Sequence, residues 1–167
     1  MSASKVLNIC DGGSMAMLRL TPDFKEFLSL LNSAGIEYLL IGGYAVALYG
    51  HVRPTKDMDV WVATNETNLR LLVEAFEKFG FGKNSLPDPL FKPPQTVLRM
   101  GVPPNRLEVL SEIAGVRFAD CYEHRQYMTI DGVSVPVISL DDLKKNKSAT
   151  GRARDAADVE ELNKRLK

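Results

Sequence analysis

Hydrophobic and polar positions recur at helical spacing in two long stretches of the chain. Residues 22–34 predict one amphipathic helix, with Thr21 suited to its N-cap and Pro22 to its first turn. Asn65 is likewise placed to cap a second helix, which ends near residue 79. The apolar faces comprise Phe24, Phe27, Leu28 and Leu31 in the first helix, and Leu69, Leu72, Val73, Phe76 and Phe79 in the second.

Shorter apolar runs, some of them alternating with polar residues, predict the strands of a sheet. Asp131-Gly132 favours a two-residue hairpin turn between two of these strands. The predicted strands are 37–41, 56–62, 96–100, 106–110, 126–130 and 133–137. Further helices are expected at 43–49, at 139–147 with Ser139 as the N-cap, and at 152–166.

The order of these elements predicts an α/β (α+β) fold with one mixed β-sheet and helices packed on it. A chain of 167 residues is the size of one domain. We expect residues 1–20 to be an irregular N-terminal extension and residues 21–167 to form the domain. No internal repeat or low-complexity tract interrupts this pattern.

Composition and charge narrow the class of protein. The chain has 45% hydrophobic and 25% charged residues, which is typical of a globular protein. Its formal net charge of zero argues against a surface committed entirely to nucleic acid. Cys10 and Cys121 are too few for a disulfide framework, so a cytoplasmic location is expected. No apolar run reaches transmembrane length, and we expect no membrane association.

The most informative motif is Asp57-Met58-Asp59 in the strand predicted at 56–62. Side chains two residues apart in a strand point the same way, so both carboxylates can converge on a pair of divalent cations. The preceding Gly42-Gly43 ends one strand and begins a helix, where free backbone N–H groups suit a phosphate. The motif therefore indicates nucleotide chemistry, although a merely polar outer face of a strand would also explain the acids.

Glu108 is the candidate for a third acid. Alternation in the strand at 106–110 places Leu107 and Val109 on one face and Glu108 on the other. Two-metal phosphoryl or nucleotidyl transfer holds its ions about 3.5–4 Å apart between shared carboxylates, which calls for such a residue. The alternative is an acid on the wet face of an edge strand. The same alternation turns Trp61 away from the acids and into the core.

This ordered set of residues resembles the nucleotidyltransferase superfamily, which has a DNA polymerase beta-like fold. The resemblance is to small prokaryotic members, such as minimal nucleotidyltransferases and abortive-infection type toxins of toxin–antitoxin systems. Gly42, Gly43, Asp57, Asp59 and Glu108 match its core pattern. The segment 140–158 also resembles the closing segment of the family, and the likeness runs from about residue 21 to the end.

The resemblance implies an enzyme that transfers a nucleoside monophosphate from a nucleoside triphosphate to a hydroxyl acceptor. Asp57, Asp59 and Glu108 would be the catalytic residues and would bind two Mg²⁺ ions, while Gly42 and Gly43 would hold the outer phosphates. The acceptor would be a protein, a tRNA or a small molecule, and the likeness to toxin–antitoxin members also implies a cognate partner protein. Two departures are a glutamate where close relatives more often have aspartate, and the lack of a second domain to hold the acceptor.

Basic residues near these motifs are further candidates for nucleotide binding. Arg53 and Lys56 flank the acids, and Lys147 and Arg152 lie in the closing segment. Each is equally compatible with solvated surface charge. Asp155 is expected to have a structural role, either pairing with a basic residue or capping the last helix.

Two other classes of protein compete with the enzyme. A non-catalytic nucleotide-binding or interaction module, for instance an antitoxin-like partner, would keep the fold without turnover. A metal-dependent phosphohydrolase is disfavoured because the chain has no motif rich in His and Asp.

Overall fold

Seven strands form one mixed sheet in the computed structural model, which describes residues 6–7 and 18–165. Their order across the sheet is β1-β6-β7-β2-β3-β5-β4. The strands are β1 (Val6–Leu7), β2 (Tyr38–Ile41), β3 (Asp57–Val62), β4 (Val97–Met100), β5 (Arg106–Leu110), β6 (Gln126–Ile130) and β7 (Val133–Val137). The predicted mixed sheet with packed helices is confirmed.

Six α-helices accompany this sheet in the described part of the chain. They are α1 (Pro22–Ser33), α2 (Gly42–Leu48), α3 (Glu66–Phe79), α4 (Phe118–Glu123), α5 (Leu140–Ala149) and α6 (Ala153–Lys164). None of them combines the length and apolar character needed to cross a membrane.

The ends of the helices follow the capping residues in the sequence. Thr21 accepts a hydrogen bond from the Phe24 N–H at 3.2 Å, and Asn65 accepts one from the Asn68 N–H at 2.9 Å. Ser139 caps α5 in the same way through Asp142. These side chains satisfy N–H groups that the first helical turn leaves without partners. The caps predicted at Thr21, Asn65 and Ser139 are confirmed.

Aromatic side chains of α1 and α3 build much of the hydrophobic core. Phe27 of α1 stacks on Phe76 of α3 with ring centroids 5.8 Å apart. On the sheet, Trp61 is buried and meets Phe118 edge to face at 5.1 Å. The core position predicted for Trp61 is confirmed. Packing of this kind fixes the sheet on which the polar residues stand.

Strand register brings the chemically interesting residues to one place. Parallel pairing of β3 with β5 sets Asp57 beside Arg106 and Asp59 beside Glu108. Antiparallel pairing of β4 with β5 sets Arg99 beside Glu108. Residues paired directly across neighbouring strands share a sheet face. All five side chains therefore belong to one face, at the β4 end of the sheet.

Two elements differ from the prediction. Helix α4 was not expected, because its six residues are too few to display a helical period. Strand β1 lies within the extension predicted to be irregular, and it pairs in parallel with Tyr127 and Met128 of β6. The remainder of that prediction up to residue 17, including Cys10, falls outside the described residues.

Candidate functional site

Asp59 and Glu108 stand opposite each other on β3 and β5, and their side chains share one face of the sheet. Asp57 precedes Asp59 by two residues and lies on the same strand face. The three acids line a cleft of about 960 Å³. The register of β3 and β5 brings Asp57, Asp59 and Glu108 together in one cleft, as their predicted shared site requires.

Crowding of negative charge alters the protonation of Asp59. Burial, the hydrogen bond with Glu108 and the charges of Glu108 and Asp57 together raise the pKa of Asp59 to about 8. The nearby ammonium group of Lys147 acts in the opposite direction. In neutral solution without cations, Asp59 is therefore largely protonated.

Gly42 allows the backbone to approach Asp59 closely. A Cβ atom at this position would overlap the Asp59 Oδ2 atom, and the φ angle of Gly42 is +67°. Gly43 is equally close to a neighbour, since its Cβ would lie 2.6 Å from Thr55 Oγ1. The Gly42-Gly43 pair thus places bare backbone, and its N–H groups at the start of α2, directly beside the acids.

Replacing Gly42 by alanine is expected to disrupt the site through displacement of Asp59. Gly35→Ala is a matched control, because Gly35 has a similar φ of +68° but a methyl group added there would meet no atom within 4 Å. Both changes should cost about 1 kcal/mol of backbone strain. Only Gly42→Ala should also abolish the Mg²⁺-dependent nucleotide binding that the resemblance implies, measured by thermal shift. Equal nucleotide binding by both variants would contradict the close approach described above.

Two arginines form ion pairs with Asp57 and Glu108. Arg106 donates from Nε and Nη2 to the two carboxylate oxygens of Asp57, at 2.8 and 2.9 Å. Arg99 donates from Nε to Glu108 Oε1 at 2.8 Å. Hydrogen bonds from charged donors to a carboxylate are among the stronger ones in proteins. Arg99 and Arg106 were absent from the sequence-based set of site residues.

The chemistry of the three acids fits Mg²⁺. Carboxylate oxygens are the ligands this cation prefers, and Asp57, Asp59 and Glu108 offer six of them on one face of the sheet. In the arrangement seen, however, no group of three acidic, His or Cys side chains among the described residues is set to hold an ion. Arg106 engages both carboxylate oxygens of Asp57 and Arg99 engages Oε1 of Glu108, so these pairs compete with cation binding.

A basic wall borders the other side of the cleft, formed by Arg53, Lys147 and Arg152. Asp158 accepts two hydrogen bonds from Arg53, at 2.7 and 2.8 Å, and lies 3.2 Å from Lys147 Nζ. Asp155 accepts from Lys147 at 2.9 Å and from Arg152 at 2.7 Å. Burial alone would raise the pKa of Asp158, but hydrogen bonds and charge from Arg53 and Lys147 lower it. The two aspartates hold the basic wall in place.

Every predicted nucleotide-binding residue lines the cleft, but their environments differ. Lys56 and Arg152 are exposed, whereas the Lys147 side chain is only 6% exposed and lies between two aspartates. Asp155 pairs with basic residues, as its predicted structural role requires. The residues concerned are Gly42, Gly43, Arg53, Lys56, Lys147 and Arg152.

Comparison with known protein families agrees with this geometry. The profile of a family described as nucleotidyltransferases of unknown function, DUF6036, matches residues 16–165. The chain belongs to this nucleotidyltransferase family. No curated protein sequence matches the chain.

Solved structures share the fold of this family member at low sequence identity. A proposed nucleotidyltransferase from Thermotoga maritima superposes with a TM-score of 0.57 and 17% identity, over 85% of this chain and 89% of that one. The lincosamide antibiotic adenylyltransferase LnuA, in its lincomycin-bound structure, gives 0.56 and 13% identity, over 87% and 97%. The predicted nucleotidyltransferase-type fold is confirmed.

Sequence reasoning missed three residues that shape the cleft of this nucleotidyltransferase-family chain. Arg106 precedes Glu108 by two residues in β5, so strand alternation alone could have placed it on the acidic face. Arg99 and Asp158 gave no comparable local signal. Their roles depend on β4 pairing with β5 and on α6 packing near Arg53, which are tertiary features.

Proposed function

We propose that the protein transfers a nucleoside monophosphate from a nucleoside triphosphate to a hydroxyl acceptor, with two Mg²⁺ ions. The observation that carries the proposal is the alignment of Asp59 with Glu108 across β3 and β5, directly beside the Gly42-Gly43 backbone. This combination offers cation ligands and phosphate-binding N–H groups in one cleft. Membership of a nucleotidyltransferase family supports the same reaction class.

The basic wall and the glycine backbone orient the triphosphate in this proposal. The N–H groups of Gly42 and Gly43 face the outer phosphates, and Arg53, Lys56 and Arg152 add positive charge around them. Asp155 and Asp158 fix the guanidinium groups of Arg152 and Arg53 in advance, so less entropy is lost when the triphosphate binds. The buried ammonium group of Lys147 adds further positive charge to the basic wall.

The transfer step is a single displacement at phosphorus. The acceptor oxygen forms a bond to the α-phosphorus, and the bond from that phosphorus to the bridging oxygen of pyrophosphate breaks. Asp57 and Asp59 would ligate both Mg²⁺ ions, and Glu108 would ligate one and accept the hydroxyl proton. Bound Mg²⁺ supplies neutralisation of the charge that develops on the leaving pyrophosphate. Catalysis then depends on position and electrostatics.

The acceptor classes under this proposal are a protein, a tRNA and a small hydroxylated molecule. LnuA, which shares the fold, is an adenylyltransferase for lincosamide antibiotics, and this supports keeping a small molecule among them. A cognate protein partner also remains within the proposal.

A non-catalytic nucleotide-binding module is the second candidate. The observation that favours it is the engagement of Asp57 by Arg106 and of Glu108 by Arg99. A protein that never turns over could retain these ion pairs permanently. The two candidates differ in whether the pairs open when Mg²⁺ and a triphosphate are present.

Thermal-shift measurements with the four nucleoside triphosphates test the proposed function. Mg²⁺ relieves repulsion among the acids, so at least one triphosphate at a hundredfold excess over its Kd should stabilise the fold by about 2.7 kcal/mol. That corresponds to a rise of about 5–10 °C in melting temperature, and only with Mg²⁺ present.

Asp57→Asn should remove this rise, since the amide brings no charge to the cations. Asp120→Asn is the matched control, because Asp120 also pairs with an arginine, Arg117, but lies away from the cleft. A wild-type protein that no triphosphate stabilises in the presence of Mg²⁺ would refute the proposed function.

A further inference from the structure

Arg99 and Arg106 pair with Glu108 and Asp57, the carboxylates that would bind Mg²⁺ in the proposed function. Arg106 binds Asp57 through two hydrogen bonds, and Arg99 binds Glu108 through one. When these carboxylates become cation ligands, their charge is shared with Mg²⁺ and the arginines lose their partners. Once released, each guanidinium group presents positively charged donors to the cleft that are suited to another anion.

We propose that Arg99 and Arg106 bind an anionic group of the acceptor, which is a small hydroxylated molecule carrying a phosphate or a carboxylate. This inference rests on the proposed function, because it concerns the acceptor side of the same cleft. Arginine suits the role, since its planar donors match both phosphate and carboxylate oxygens.

The position of the two arginines fits an acceptor site. They lie on β4 and β5, while the basic wall and Gly42-Gly43 border the cleft from the other side of the acids. Arg99 stands directly beside Glu108, the residue proposed to accept the hydroxyl proton. An anion held there brings the acceptor hydroxyl close to Glu108. Strand β4 is at the edge of the sheet, and the Arg99 side chain is 62% exposed, so a ligand can reach it.

The surroundings of the arginines favour a small molecule over a nucleic acid. Val97, Leu110 and Ile113 line the same side of the cleft and are half-buried, which offers an apolar surface to a carbon skeleton. Glu112 also lines the cleft, so this side is less uniformly basic than a surface that follows a phosphate backbone. The formal net charge of the chain, zero, agrees with this choice.

Anion binding to the nucleotide-loaded protein tests the proposal without requiring turnover. The protein is saturated with Mg²⁺ and an α,β-methylene triphosphate, which cannot release pyrophosphate, and inorganic phosphate or acetate is titrated in by calorimetry. At least one of the two anions should bind, and at least tenfold more weakly when Mg²⁺ and nucleotide are omitted. The double variant Arg99→Gln/Arg106→Gln should weaken this binding by at least tenfold.

Arg117→Gln is the control for removal of an arginine from an ion pair. Arg117 pairs with Asp120 at 3.6 Å and is exposed outside the cleft, so this change should leave anion binding as in the wild type. A transfer assay gives a second reading. The double variant should raise the KM for phosphorylated or carboxylated acceptors at least tenfold, with much less effect on kcat.

The outcomes separate this inference from the proposed function. If the triphosphate analogue fails to bind with Mg²⁺, both fall together. If the analogue binds but neither anion does, or both bind the double variant as well as the wild type, only the acceptor inference is overturned. Efficient labelling of tRNA or of a protein at rates that the double variant leaves unchanged would overturn it as well.

Discussion

Asp59→Asn is expected to abolish nucleotide transfer and, at the same time, to raise the melting temperature of the metal-free protein. The amide keeps the size of the side chain but removes the charge that the cations require, so kcat/KM should fall by about 10³-fold or more. Without cations, the same substitution removes the cost of burying a charged carboxylate, together with its repulsion by Glu108 and Asp57. The acids that the cations require are therefore expected to lower the stability of the metal-free protein.

The stabilising effect of Asp59→Asn should depend on pH in a defined direction. Folding raises the pKa of Asp59 from 3.8 to about 8, so the folded wild type binds one more proton than the unfolded chain between these values. The contribution of Asp59 to the free energy of unfolding is complete below pH 4 and is lost progressively as the pH rises towards 8. The asparagine variant lacks this loss, and its advantage in melting temperature should grow over that range and then level off.

Thermal unfolding of both proteins in EDTA, at pH 5 to 9, measures this advantage. A variant that is less stable than the wild type at pH 8 would contradict the charge repulsion inferred for the site. Asp120→Asn provides the control, because Asp120 is exposed and lies outside the cleft.

Lys147→Met should destabilise the fold more than any other single change considered for the cleft. The Lys147 ammonium lies 2.9 Å from Asp155 and 3.2 Å from Asp158, and all three side chains are buried. Removing one partner of a buried ion pair leaves uncompensated charge and costs about 3–5 kcal/mol. In a domain of this size the melting temperature should fall by about 10 °C.

Lys145→Met is the matched control, since the Lys145 side chain is 67% exposed and lies 3.8 Å from Asp142. It should change the free energy of unfolding by less than about 1 kcal/mol. Adding Asp155→Asn to Lys147→Met should restore part of the lost stability, because the two residues interact directly. Equal effects of the two lysine substitutions in chemical denaturation would show that Lys147 is not the structural cation described here.

The sequence predicted the acidic centre because strand alternation is a local property. Asp57 and Asp59 follow from a single strand, and Glu108 follows from the apolar neighbours on either side of it. Their meeting point depends on β3 pairing with β5, which no local pattern encodes. The resemblance to the nucleotidyltransferase superfamily implied that the three acids form one site, and the pairing of β3 with β5 brings them together.

The sequence was less informative wherever a side chain depends on a distant partner. Lys147 is a candidate phosphate contact because it lies in the closing segment, yet α6 supplies two aspartates that enclose it. Arg99 likewise gains its role from the neighbouring strand β5. Charge clusters read along the chain do not reveal which members are neutralised in the fold.

Transfer of label from nucleoside triphosphates tests the central claim most directly. Parallel reactions would contain Mg²⁺ and triphosphate labelled at either the α- or the γ-phosphate, with phosphorylated and carboxylated small molecules, aminoglycosides, total tRNA and candidate proteins as acceptors. A nucleotidyltransferase should place the α-label on an acceptor and release the γ-label in pyrophosphate. Both Asp59→Asn and Glu108→Gln should lose this labelling, whereas Asp120→Asn should retain it. Retention of γ-label on the acceptor, labelling that survives both cleft substitutions, or nucleotide binding with no labelling of any acceptor would contradict the account.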